Sequence, residues 1–363
     1  MYRMCMECNE GQGLKLTPGV VACDQDHEAI VYLLEPGDVV GDFKVDEVLP
    51  AGEGGYSTVY RATPHVEGYP PSVALKVALS NRRGALELEA AVLSYLQNAH
   101  SPNVPRIYPI PREHQAPMPS AGPDATNPYL GSVVLDLEPF YYLAIEFLPG
   151  GSLRDKLEAK GGRSLGVQQT LDTIRTIGQA LRLLHSRGHI HLDVKPANIM
   201  YNMAGEAVLI DYGITVREDG DETSWPGTAP YAPREQINQD YPDHRADIHA
   251  LGVTAFEMLT GVLPYRGASA NALATSILAS KPFTLAQVAP RLAHLDPALR
   301  PALSPYPDER YPTVEAFVSA MEEAVQKKDV GSGSRARFAV AGVMALVAVL
   351  AIVGIFLVAS TQP

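Results

Sequence analysis

Side chains able to do chemistry are densest in His191-Leu192-Asp193-Val194-Lys195-Pro196-Ala197-Asn198, where a carboxylate, an ammonium and a side-chain amide fall within eight residues. Leu171, Ile174, Ile177, Leu181 and Leu184 lead into this stretch at the spacing of an amphipathic helix, and Gly188 stops that helix. The stretch is therefore a loop. Pro196 has no backbone donor and resists both helix and central strand, so the polar groups sit on a rigid turn. Rigid loops on a scaffold are a common setting for catalysis. Downstream, Leu209-Ile210-Asp211-Tyr212-Gly213 presents a second carboxylate after a short strand. Upstream, Lys76 interrupts the apolar run Val73-Ala74-Leu75-Lys76-Val77, and a lysine in a half-buried strand needs a partner for its charge. Glu87 and Glu89 lie beside the stripe Leu86, Ala90 and Leu93 of a helix-like segment, and either carboxylate could reach back to it. A lysine snorkelling on a wet strand face is the plainer alternative.

The elements that must position these groups begin near Gly41. Phe43, Val45 and Val48-Leu49 lead into Gly52-Glu53-Gly54-Gly55-Tyr56-Ser57, and Thr58-Val59-Tyr60-Arg61-Ala62 leads out. Glycine between two β-rich runs lets backbone N–H groups approach a phosphate closely, because no Cβ intervenes. The same pattern also suits a plain hairpin turn, and no Gly-Lys-Ser/Thr follows to make a Walker A loop. Residues 109 to about 132 are rich in Pro, Ala and Ser without apolar period, which predicts a flexible insertion. Tyr142 to Leu148 forms a strand running into Pro149-Gly150-Gly151, and Ser152 before Leu153-Arg154-Asp155 has the form of a helix N-cap.

Composition bounds the partners. A chain of 363 residues allows two or three structural units, and a net charge of -12 argues against nucleic acid. All three cysteines, Cys5, Cys8 and Cys23, are N-terminal, so the main body is built without disulfides and fits a reducing compartment. Residues 1–38 read as an N-terminal arm. Cys5 and Cys8, followed by Cys23 and His27, have spacing that permits a zinc knuckle, against an arm with incidental cysteines. Met1 to Leu14 has no apolar core of a signal peptide. At the other end, residues 327–337 form a basic juxtamembrane linker containing Gly331-Ser332-Gly333-Ser334, Arg335 and Arg337. Phe338 to Ala359 then runs 22 residues without a charge, roughly 33 Å as a helix and enough to cross a bilayer core. Basic residues on its N-terminal side place that side in the cytoplasm, leaving residues 360–363 as a short external tail.

Taken in order, these motifs resemble the serine/threonine protein kinases, most closely the membrane-bound kinases of bacteria, from about Gly41 to Met321. The resemblance implies an α+β, two-lobed kinase fold over residues 39–326, with a small β-rich lobe to about 146, a larger helical lobe from about 150 to 326, and the C-terminal transmembrane helix beyond it. It implies that Gly52, Gly54, Ser57 and Val59 cover ATP, with serine in place of the third glycine of Gly-x-Gly-x-x-Gly-x-Val. Lys76 then matches the lysine that holds the α and β phosphates. Glu89 is its preferred ion-pair partner by position, with Glu87 as the alternative and a truncated helix expected from the short interval. Asn103 to Tyr108 resembles the entry to the fourth strand. The hinge follows Ile145 in the gatekeeper position, with backbone groups around Glu146 and Leu148 binding adenine.

In the resembled catalytic loop, Asp193 orients the substrate hydroxyl and accepts its proton, Lys195 touches the transferring phosphoryl group, and Asn198 and Asp211 hold Mg2+. Gly227-Thr228 followed by Tyr231 resembles the substrate-docking segment. Asp247 is expected to tie down the catalytic loop and Glu235 to pair with Arg310. One departure stands out: His-Arg-Asp reads His191-Leu192-Asp193. Leucine cannot clamp a phosphorylated residue, so activity is expected not to depend on activation-segment phosphate acting through this loop. The implied partners are ATP, proteins bearing Ser/Thr and the lipid bilayer, at the inner (plasma) membrane with a cytoplasmic kinase domain and with a homodimer left open. The rival reading is a membrane-tethered pseudokinase that binds nucleotide and scaffolds partners.

Overall fold

The computed structural model describes residues 2–5, 14–15, 30–49, 57–99, 103–122, 124–135, 138–218, 230–267, 269–279 and 282–327. Strands β1 (Tyr2–Cys5), β2 (Leu14–Lys15) and β3 (Ile30–Leu33) form a small antiparallel sheet in the order β2-β1-β3. Cys5 ends β1, whereas Cys8, Cys23 and His27 lie outside the described residues, as do Gly52, Gly54, Thr228 and the apolar segment 338–359. Among the described residues no helix is long and apolar enough to cross a membrane.

The main sheet contains β4 (Val39–Val40), β5 (Phe43–Val48), β6 (Thr58–Pro64), β7 (Val73–Leu79), β8 (Ile107–Tyr108), β9 (Gln115–Pro117), β10 (Thr126–Leu135) and β11 (Glu138–Glu146). Its order is β4-β5-β6-β7-β11-β10-β9, with β8 also paired to β11. The alternation of β7 decides how this sheet is used. Val73, Leu75 and Val77 join Phe43, Tyr60 and Tyr142 in the core on one face. Ala74, Lys76 and Ala78 then face the other side by the period of two. That side is covered by helix α1 (Arg83–Asn98), whose Leu86, Glu89, Ala90, Leu93 and Leu96 are buried. Lys76 is directly opposite Val59 of β6 and Leu143 of β11, so the sheet itself sets its height.

Two expectations are corrected here. Helix α1 is not truncated: a three-residue 3-10 turn, Ser80–Arg82, leads directly from β7 into sixteen helical residues, so the short interval is absorbed by the connection. The segment after residue 109 is no flexible insertion. It forms a 3-10 turn (Arg112–His114), β9, a second turn (Pro119–Ala121) and β10. Its order comes from main-chain pairing and amide bonds: Gln115 Nε2 donates to the Ile110 carbonyl at 2.8 Å and Thr126 Oγ1 to Gln115 Oε1 at 2.6 Å. Among its described residues the buried apolar side chains up to residue 132 are Ile110, Ala116 and Leu130, too far apart to show an apolar period.

The helical half opens with α2 (Leu153–Ala159), capped by Ser152 and Asp155 in a reciprocal capping box, and α3 (Val167–His185), whose apolar face is buried as the spacing predicts. Four short strands follow: β12 (His189–Ile190), β13 (Ile199–Tyr201), β14 (Ala207–Leu209) and β15 (Val216–Arg217), paired β12 with β15 and β13 with β14. They hold the ends of the polar loop. Gly150 and Gly151 bring the chain leaving β11 against β13, with Gly150 N–H on the Tyr201 carbonyl at 2.9 Å and Tyr201 N–H on Gly151 at 3.0 Å. A Cβ on Gly150 would fall 2.6 Å from that carbonyl oxygen, so the approach requires glycine.

After α4 (Arg234–Asn238), helix α5 (Arg245–Thr260) is buried at every position from Ala246 to Leu259 and forms the axis of this half. Further helices, Ala270–Leu278, Leu285–Val288, Asp296–Leu299 and residues 314–327, pack around it. Arg310 is wholly buried and clasps Glu235 with two bonds of 2.6 and 2.9 Å. Removing one member of such a pair leaves a buried charge without compensation. Arg310→Ala is therefore expected to lower unfolding free energy by about 3–5 kcal/mol. Urea unfolding measures this; a loss under about 1 kcal/mol, the range of an exposed pair, would contradict it.

Candidate active site

Lys76 is where the two halves meet. Its Nζ is 2.7 Å from Glu89 Oε2 on α1 and 2.8 Å from Asp211 Oδ1, in the loop after β14. Glu87, the alternative, points outward and pairs with Arg83 at 2.8 Å. Helix geometry explains the choice, because position 89 falls on the buried stripe of Leu86, Ala90 and Leu93 and position 87 does not. Burial pushes the Lys76 ammonium toward its neutral form, but Glu89 and Asp211 outweigh that and raise its pKa above the usual lysine value. Asp211 is held below the usual carboxylate range, the cost of burial being overcome by Lys76. Glu89 is shifted the other way, upward, chiefly by burial and against the pull of Lys76, with the Asp211 charge adding to the rise. The lysine is thus a fixed positive charge at the base of the cleft.

Across the cleft, the polar loop is assembled as one hydrogen-bonded unit. Asn198 donates through Nδ2 to the Asp193 carbonyl at 2.9 Å and to Asp193 Oδ2 at 2.8 Å. Lys195 Nζ lies 3.0 Å from the same Oδ2 and is almost wholly buried. His191 accepts the Asp193 N–H at Nδ1 (3.3 Å) and faces the Ile210 carbonyl with Nε2 (3.2 Å), an arrangement that fits the Nε2–H tautomer. Its ring meets Tyr212 edge-on at 4.9 Å between centroids. The loop carrying Asp193 is thereby tied to the loop carrying Asp211.

The loop backbone is held from beneath. Asp247, wholly buried on α5, accepts the N–H groups of His191 and Leu192 at 2.8 Å each, and also pairs with His185 at 2.8 Å. Gln236 Nε2 donates to the Leu192 carbonyl at 3.0 Å. Leu192 needs this hold, because its φ of 66° is in the left-handed region that a leucine adopts only at a cost of roughly 1–2 kcal/mol. Asp211 has the same φ. The Leu192 side chain is buried with Ile190, Val216 and Ala246, against the partly buried Ile214. It therefore fastens the loop to the strand that follows Tyr212 by apolar contact.

A family model described as "Protein kinase domain" matches residues 45–323, most of the chain. The chain belongs to the protein kinase family. It is 28% identical over 306 residues to a probable serine/threonine-protein kinase of Streptomyces coelicolor, an alignment covering 82% of this chain and 42% of that one. It is 34% identical over 182 residues to the serine/threonine-protein kinase PknB of Mycobacterium leprae, covering 48% of this chain and 29% of that one. A probable serine/threonine-protein kinase of Clostridium perfringens matches at 28% over 199 residues, 53% of this chain and 29% of that one. The alignments thus span less than half the length of these relatives.

Within this two-lobed kinase fold, Lys76, Glu89, Asp193, Lys195, Asn198 and Asp211 converge on one cleft. Ser57 and Val59 lie at and just inside the start of β6, with Val59 opposite Lys76. Glu146 ends β11, its N–H given to the Arg106 carbonyl at 2.8 Å, and Leu148 is buried just beyond. The kinase also uses residues that motif spacing did not single out. Arg83, at the start of α1, donates to the Pro117 carbonyl, reaches the Tyr141 hydroxyl at 3.3 Å and stacks 4.9 Å over that ring. It moors α1 to the ordered insertion. Gln236 is likewise invisible as a site residue, since nothing in its neighbourhood marks a bond to a loop 44 residues away. Glu89→Gln is expected to weaken nucleotide affinity at least ~10-fold, by removing the charge that holds Lys76, while Glu87→Gln changes it less than ~2-fold. Equilibrium binding of a fluorescent ATP analogue distinguishes them; equal effects would refute the assignment.

Proposed function

We propose that this chain is an ATP-dependent serine/threonine protein kinase whose catalytic domain faces the cytoplasm from a membrane anchor. The observation that carries the reading is the bridging of Lys76 between Glu89 and Asp211, with Asp193, Lys195 and Asn198 joined in the facing loop. Phosphoryl transfer asks mainly for positioning and charge neutralisation, and these residues suit both tasks.

The donor set fits ATP with magnesium. Asn198 spends its amide N–H groups on Asp193, which leaves its carbonyl oxygen as the group that could meet a cation, and Asp211 is a carboxylate whose side chain is 42% exposed. Two hard oxygens and little else suit Mg2+. Asn198 and Asp211 would hold the ion, which would supply positive charge against the phosphates. Lys76 would hold the α and β phosphates and Glu89 would hold Lys76. Gly52, Gly54, Ser57 and Val59 would cover them, and backbone groups of Glu146 and Leu148 would receive adenine beside Ile145.

Asp193 would orient the substrate hydroxyl and take its proton as that oxygen bonds to the γ-phosphorus and the bond from the γ-phosphorus to the departing ADP oxygen breaks; Lys195, whose Nζ is 3.0 Å from Asp193 Oδ2, would neutralise charge on the moving phosphoryl group. The protein-substrate reading is favoured by Lys195 and by Gly227, Thr228 and Tyr231 downstream. The membrane reading rests on the 22 uncharged residues from Phe338 to Ala359 behind Arg335 and Arg337.

Asp193→Asn tests the chemistry: transfer of labelled phosphate to itself or to a generic basic protein is expected to fall at least ~100-fold, the low end of a general base's contribution, with nucleotide affinity preserved. No labelling by either protein would favour the scaffold alternative, and equal labelling by both would refute Asp193 as the base. Leu192 supports a second expectation. Its apolar packing against Val216 and Ala246 substitutes for a phosphate clamp. Replacing Thr223 or Ser224 with Ala should change the rate less than ~3-fold, whereas Leu192→Ser, which opens that cluster, should lower it more. Full dependence on phosphate at Thr223 or Ser224 would overturn the expectation.

A further inference from the structure

Away from the cleft, the small lobe gathers Asp42, Glu113 and His114, with one ligand atom from each within 4.8 Å of the others. Asp42 lies in the turn between β4 and β5, while Glu113 and His114 lie in the 3-10 turn of the ordered insertion. Asp42 Oδ2 and His114 Nε2 are 3.3 Å apart, and both side chains are about one-third exposed, so solvent has access to them. By itself this would be an ordinary surface ion pair.

Tyr142 makes it more than that. The residue is wholly buried, yet among the described residues its hydroxyl has no hydrogen-bond partner. The ring lies in a slot made by two glycines, since a Cβ on Gly41 or on Gly131 would overlap it. Its hydroxyl end lies against Gly41, the residue preceding Asp42, and Cγ of His114 is 3.5 Å from that same Cβ position. The phenol oxygen thus lies against the backbone neighbour of Asp42, on the side where the His114 ring also approaches. Its pKa is raised, by burial first and then by the charges of Asp42, Tyr69 and Glu113, so it stays a neutral hydroxyl. Phenylalanine would fill the slot without an orphaned oxygen; the oxygen calls for a partner that the described residues around it do not supply.

We propose that Asp42, Glu113, His114 and the Tyr142 hydroxyl form a binding site for a divalent transition-metal ion, zinc first. One imidazole nitrogen with oxygen donors suits zinc's preference for four mixed ligands, and the imidazole selects against magnesium and calcium, which take oxygen. Such an ion would clasp the insertion to the β4–β5 turn. The other end of the insertion is already held by Arg83 on α1, so the ion would fasten the free side of the element that moors this helix.

The test uses the full chain with Cys5, Cys8 and Cys23 each replaced by serine, which removes thiol ligands, in excess magnesium to fill hard-oxygen sites. Bound zinc is measured by metal analysis after equilibrium dialysis, with unfolding curves to confirm that each variant is folded. One zinc per chain is expected, lost in His114→Ala and in Asp42→Asn. Tyr142→Phe should retain or gain stability without metal and bind zinc at least ~10-fold more weakly. No zinc on the cysteine-free chain, or undiminished zinc in His114→Ala, would overturn the site. Unchanged affinity in Tyr142→Phe would overturn the four-ligand assignment and leave the hydroxyl to water.

Discussion

The buried ammonium of Lys76 is the constraint on which the rest of the kinase depends. A lysine in the middle of an apolar central strand can be tolerated only if carboxylates reach it, because an unpaired buried charge is far more costly than any local packing gain. One carboxylate comes from α1, thirteen residues on, and the other from the loop after β14, 135 residues on. Both must arrive together. The pairing therefore fixes the rotation of α1 about its axis, the height of α1 over the sheet and the position of the Asp211 loop against the small lobe. Arg83 contributes to the same end from outside, by mooring the first turn of α1 to Pro117 and Tyr141. The helix that carries Glu89 is held at its start by the insertion and along its length by the sheet.

The second support lies under the catalytic loop. Asp247 accepts two successive backbone N–H groups and Gln236 donates to the next carbonyl, so the strained Leu192 conformation is clamped from both sides. Without those bonds the left-handed leucine would relax, and Asp193 would turn with it. Strain here serves geometry: the loop pairs Asp193 with Lys195 while Leu192 is buried away from them with Ile190, Val216 and Ala246. Glu235 and Arg310 close the same region from further out, anchoring α4, from which Gln236 reaches the loop.

Much of this was legible in the residues. Pro196 and Gly188 mark the polar loop, the three-to-four spacing marks α3, and the apolar run around Lys76 marks a strand whose lysine must be paired. The choice between Glu89 and Glu87 was also within reach, since only position 89 shares the stripe of Leu86, Ala90 and Leu93. What could not be read depends on long-range contact or on main-chain pairing. The insertion has no apolar period because Gln115 and Thr126 order it through hydrogen bonds, and its pairing of β9 with β10 leaves no side-chain signature. Tyr142 reads as one more strand aromatic, because its slot is shaped by Gly131, its cross-strand partner on β10, and by Gly41, from the turn between β4 and β5 a hundred residues away.

Leu192 shows how the two supports combine. In a loop built with arginine at this place, the cation needs a phosphate or carboxylate to offset its burial, so the loop and the activation segment are joined through a modification. Here the side chain joins Ile190, Val216 and Ala246 in a dry cluster, and β12 pairs with β15 through Ile190 and Val216 themselves. The link between the catalytic loop and the segment after Asp211 is thus made of apolar burial and backbone bonds, neither of which waits for a charge to be added. With Lys76 already bridged and Asn198 already on Asp193, the charged groups of the cleft are held in place by contacts the chain makes within itself.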